Sequence, residues 1–191
     1  MACLGLMIDR YIKPRLLRLD KLEAARRQIE SAIWLWFVDA DMVSVHTLTA
    51  AAHRLLLDMA EAWEVTAFPF TAAYIPSRTG KGTKTSAPDA ATFFKHAKKD
   101  VTYVLSEAWT ELYLFDAVMA YNNLVDNRCG SAMMSTFVVR FAVQRQELFA
   151  RGAFSFLEKA VSKDFNIERL EQLSKIDFLK EIFNFLGRPT D

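Results

Sequence analysis

The sequence predicts an all-α protein, a single-domain helical bundle of about five main helices with one long basic loop. Three observations carry this. Apolar residues recur at three- and four-residue spacing through most of the 191 residues, no run alternates apolar and polar as a strand would, and only 6 Gly and 5 Pro interrupt the pattern, against 15 Phe. Apolar residues make up 52% of the chain and charged residues 25%, enough to bury a core and too apolar for a disordered chain. Residues 1–18 read as an N-terminal arm and residues 19–191 as the helical domain.

The first helix is expected from Leu19 to Phe37, where Leu22, Ala25, Ile29, Ile33 and Trp36 line one face and Asp20 suits the N-cap. The stretch DADM ends it. A second helix, capped by Ser44 and running to about Trp63, carries Val45, Leu48, Ala52, Leu55, Met59 and Trp63 as its apolar stripe. Thr47, Ala51, Arg54, Asp58 and Glu61 form its wetter arc. These two helices should pair as an antiparallel hairpin.

Residues 64–88 contain three prolines, the glycines of TGKGTK and no helical period, so they read as a long loop with a basic tip. A short helix from Asp89 to about Lys98 follows, its KHAKK end placing positive charge where the helix dipole favours it. Ser106 should cap a long, centrally buried helix to Leu124. Ser131 should cap another through Met134, Phe137, Phe141 and Leu148, in which the β-rich TFVVRFAV keeps a helical period. Gly152 precedes a short piece from Phe154 to Val161. Asn166 should cap a last helix, Ile167 to Leu186, ended by Gly187 and Pro189. Its broad apolar surface predicts either core completion or a homodimer.

A formal net charge of +1 gives no global attraction to nucleic acid or anionic membrane. Locally, residues 77–100 hold six basic residues against Asp89 and Asp100, and residues 101–126 answer with Glu107, Glu111, Asp116 and Asp126. Such neighbours can simply pair. Glu107 and Glu111 read as a solvated acidic face, and Trp34, Trp36, Trp63 and Trp109 as core filling. Cys3 and Cys129 make no CxxC, and no stretch approaches about 18 uncharged apolar residues, so a cytoplasmic protein without membrane contact is expected.

The three histidines are the candidates for chemistry. His46 and His53 stand seven residues apart on one side of the second helix, about 10.5 Å along its axis at 1.5 Å per residue, too far to share a metal. Their neighbours Thr49, Ala50 and Leu57 predict burial at a helix junction. A mononuclear metal site would need one of them with His96 and a carboxylate from among Asp39, Asp41, Asp58 and Asp100, and nothing in the sequence selects one. No metal site or cofactor is therefore specified. A ligand pocket is expected from His46, His53, Lys95, His96, Asp41 and Asp100, because all three histidines flank the 64–88 loop.

TGKGTK lacks the strand and spacing of a P-loop. Arg78, Lys81, Lys84 and Lys98 could instead hold a phosphate-bearing ligand or an RNA backbone, although a solvated lysine loop has the same composition. No GxSxG and no activated-cysteine context is present.

VSVHTLTAAAHRLL followed by TFFKHAKKD resembles a bacterial all-helical family that carries VSxHTLxxAA and FFKHAxxD segments and has no assigned activity. The resemblance spans about residues 20–125. It implies that Asp41, Ser44, His46, Thr47, Ala51, Phe94, Lys95, His96, Ala97 and Asp100 share one place. A looser likeness is to HEPN-type helical bundles of RNA-targeting and defence systems, but no arginine here precedes a histidine by four to six residues, so their catalytic pair is missing.

The expected function is a non-catalytic binding or interaction module with a histidine-lined pocket, set by analogy in bacterial stress or defence. The competing expectation is a metal-assisted hydrolase or RNA-targeting enzyme using the same histidines. A protein partner or phosphate-bearing ligand fits the first.

Overall fold

A computed structural model describes residues 17–65, 93–94, 102–125, 130–149 and 165–186. Among them are six α-helices and no strand, in agreement with the predicted all-α bundle. They are α1 (Lys21–Phe37), α2 (Met42–Ala62), α3 (Glu107–Leu124), α4 (Ala132–Gln144), α5 (Ile167–Gln172) and α6 (Lys175–Leu186), with a 3-10 turn, Gln146–Leu148, after α4.

Local chemistry sets most helix starts. Asp20 accepts the amide of Glu23 at 2.7 Å, Ser106 that of Trp109, Ser131 that of Met134 and Asn166 that of Arg169, each satisfying a donor left over in a first turn. The second helix begins three residues earlier than Ser44 would set it. Asp41 is its N-cap and accepts from the amides of Val43 and Ser44 and from the Ser44 hydroxyl, so Ser44 supports the cap from inside the first turn.

α1 and α2 form a hairpin across residues 38–41, where Asp39 turns the chain at φ 50, a left-handed conformation that Asp tolerates. α1 buries Ala25, Ile29, Ala32, Ile33, Trp36 and Phe37. Its outer face is held by Arg26 and Arg27 on Glu23, with Arg26 reaching Glu30. α3 is buried on nearly every side, which makes it the central helix against which α1, α2 and α4 pack. Phe115 stacks on Phe141 with centroids 4.6 Å apart, and Trp36 meets Phe137 edge-on at 5.0 Å.

Two predicted helices are shorter in the molecule. α4 stops at Gln144 rather than Leu148: Arg145 leaves the helical conformation, its guanidinium bonds Glu111, and Gln146 folds back onto the Val143 carbonyl. The predicted helix 167–186 is broken at Leu173 and Ser174. There Ser174 accepts the Asp177 amide and so starts α6, while Arg140 of α4 donates to the carbonyls of Leu170 and Leu173 at 2.7 and 2.6 Å. Arg140 is 3% exposed, lies 4.9 Å over the Phe178 ring, and leaves its Nε without a partner among the described residues. Phe178, Leu179 and Ile182 of α6 complete the core and Phe183 stays outside. Of the four tryptophans only Trp36 is fully buried. Trp109 packs against the core, but Trp34 and Trp63 are half exposed, Trp34 because it shares the outer stripe of α1 with Arg27 and Ser31.

Candidate functional site at the seam of α2 and α3

Positions 46, 49 and 53 recur on one face of α2, and positions 110, 113 and 116 on the facing side of α3. The packing of these helices therefore brings His46, Thr49, His53, Thr110, Tyr113 and Asp116 together, all buried. Elsewhere in the core only Thr136 and Arg140 are buried polar residues among those described. A buried polar group is costly unless bonded, and His46, Thr49, His53, Thr110 and Asp116 are bonded.

His46 Nδ1 lies 3.2 Å from Thr110 Oγ1, and Thr110 gives its one hydroxyl hydrogen to the Ser106 carbonyl at 3.1 Å. Thr110 can then only accept from the ring. In that arrangement His46 Nδ1 is the donor to Thr110. Thr49 serves its own helix by donating to the Val45 carbonyl.

His53 Nε2 lies 2.8 Å from Asp116 Oδ2, and the side chains are 8% and 0% exposed. A carboxylate only accepts, so Nε2 donates, and no group among the described residues bonds His53 Nδ1. Tyr113 stands between the histidines, its ring centroid 5.6 Å from that of His46 and 4.7 Å from that of His53. Burial pushes the Tyr113 hydroxyl up to about 12, the Asp116 charge adds to this, and Arg54 opposes it. Tyr113 thus remains a neutral phenol.

Phe94 meets His46 edge-on at 6.0 Å and, with Phe93 and Tyr103, forms an aromatic group over that end of the seam. Among the described residues, the FFKHA segment and the VSVHTL helix therefore touch through the rings of Phe94 and His46. Phe93 and Phe94, both helical, are the described part of the predicted 89–98 helix; Lys95, His96, Lys98 and Asp100 lie outside the described residues, as do Arg78, Lys81 and Lys84 of the basic loop.

Asp41 is not in the seam. It caps α2 at the surface, where the Ser44 hydroxyl and then the amides of Ser44 and Val43 hold its carboxyl below the usual range. Asp39 pairs with Lys175 at 2.8 Å and Asp58 with Arg54 at 2.9 Å. Among the described residues no three His, Cys, Asp or Glu side chains gather as a metal-holding group.

Sequence reasoning missed Thr110, Tyr113 and Asp116. The available signal was Asp116 itself, one acid inside the apolar run Leu112–Val118. It also misread Glu111, which is not part of a solvated face: its oxygens accept from Trp36 Nε1 at 3.0 Å and from Arg145 at 2.8 Å.

An imidazole oriented by a buried carboxylate, a second imidazole on a threonine hydroxyl and a neutral phenol between them can hold a ligand or relay a proton. No helix among the described residues is long and apolar enough to cross a membrane. In comparisons with known proteins, no family model, no curated protein and no solved structure matches the chain.

Proposed function

We propose that the chain is a non-catalytic binding module whose ligand seats against the α2–α3 seam, beside His46, Tyr113 and His53. The supporting observation is concentration: five of the seven buried polar or charged residues described line this one interface. An apolar seam would pack as well without the cost of burying them. The Phe94 contact supports a ligand site that includes the segment after the basic loop. A partner chain, including a second copy, would meet the half-exposed Trp34 or Phe183.

The test is native mass spectrometry of gently purified, untagged protein. A stoichiometric non-protein mass is expected in the wild type and its loss in His46→Asn, in which the amide nitrogen takes the place of Nδ1 on Thr110 while Nε2 is removed. A clean spectrum, or a mass that survives the substitution, would overturn the reading.

A second reading, an enzyme working on RNA or an ester, draws on the His53–Asp116 pair, since an acid-oriented imidazole is the basis of general-base dyads. His53→Gln keeps a donor at the Nε2 position and removes the base, so turnover of an RNA oligonucleotide should fall about 10²- to 10⁴-fold. Turnover indifferent to that change, or absent in the wild type, sinks this alternative.

A further inference from the structure

Away from the histidines, α3, the end of α4, the 3-10 turn and the α5–α6 junction line an open groove of about 680 Å³. That volume lies in the range of small-ligand sites. Its lining carries both signs of charge: Arg145 and Lys175 on one hand, Glu111, Glu147 and Glu171 on the other.

The cations are held by Trp36. The indole N–H bonds Glu111, which bonds Arg145, and the indole ring lies 4.3 Å under Lys175 Nζ, itself 2.8 Å from Asp39. Each cation keeps spare donors. Among the described residues Arg145 uses one terminal nitrogen of a five-hydrogen fork, and Lys175 has three hydrogens. Glu111 has both oxygens engaged and 14% of its side chain exposed, so it positions Arg145 and offers no acceptor. Glu147 is exposed and makes no bond or ion pair among the described residues, and Glu171 accepts from Gln146 through one oxygen. Acceptors therefore remain on the turn and on α5.

We propose that this groove binds a small zwitterion, a short peptide with both termini free. Its carboxylate would be taken by Arg145 and Lys175 and its ammonium by Glu147 and Glu171. A dianion would face the glutamates and a dication the two cations, so opposed charges within one ligand are what this lining selects. The proposal is independent of the histidine seam.

The experiment uses the ¹⁵N-labelled full chain and follows the Trp36 indole N–H resonance, assigned by its loss in Trp36→Phe. Trialanine should shift it saturably. N-acetyl-trialanine, lacking the ammonium, and trialanine amide, lacking the carboxylate, should each bind about tenfold more weakly. Glu147→Gln touches no described partner and should weaken trialanine several-fold with the fold intact; Arg145→Gln should weaken it too. No saturable shift, equal binding of the three peptides, weakening only of the amide, or an unchanged affinity in Glu147→Gln would each overturn the proposal.

Discussion

Asp116, with no exposed surface, receives a 2.8 Å hydrogen bond from Nε2 of His53 across the interface of α2 and α3. The carboxylate is the acceptor for a buried ring donor. Removing the carboxylate leaves a buried ring donor unmet, whereas an amide can still accept from it. Asp116→Ala should therefore lower stability by about 3 kcal/mol and Asp116→Asn by about 1 kcal/mol. Urea unfolding at neutral pH measures both, and equal losses would mean that the charge and the bond contribute nothing separable.

Tyr113 sets an alkaline limit. Its hydroxyl lies near 12 in the folded chain against an ordinary 10.0, because burial and then Asp116 disfavour the phenolate. A raised value stabilises fully below the unfolded value and is lost as pH climbs from 10 through 12. Over that window the wild type should lose about 2 kcal/mol more than Tyr113→Phe. Chemical unfolding at pH 9 and pH 12 tests it, and parallel slopes would refute it.

Asp41 works at the acid end. With its carboxyl held down by the Ser44 hydroxyl and the first-turn amides, its contribution is complete above the ordinary 3.8 and is lost as pH falls below it. Asp41→Ala should melt below the wild type at neutral pH, and the gap should close on acidification toward pH 2. A gap that persists there would assign the effect to something other than the charged cap.

Arg140 binds two carbonyls with no carboxylate beside it among the described residues, and burial pulls its guanidinium below the usual range. Lysine has one nitrogen and cannot span both acceptors. Arg140→Lys should cost about 2 kcal/mol, with faster hydrogen exchange in α5 and α6 than in α1 or α2. Uniform acceleration across the chain would show that the α5–α6 unit is not separately tethered.

The residues that were legible in advance act over one or two turns. Asp20, Ser106, Ser131 and Asn166 cap helices because the amide each bonds lies three residues away, and the burial of His46 and His53 follows from their place on a helical wheel. What stayed hidden depends on partners distant in sequence. The acid that meets His53 comes from α3, and the break at Ser174 is sustained by Arg140 of α4. Trp34 and Trp63 were misread because aromatic content says nothing of which side of a helix a ring occupies.

The ion pair of Lys175 with Asp39 joins the beginning of α6 to the turn between α1 and α2, segments far apart in sequence. The α1–α2 hairpin closes over four residues, whereas this contact must wait for the helices between Asp39 and Lys175 to be gathered. During synthesis the hairpin is therefore ready early, with Trp36 already at its turn, and α6 docks onto a waiting surface. Truncation near residue 174 should accordingly leave a hairpin that forms and a core that stays open.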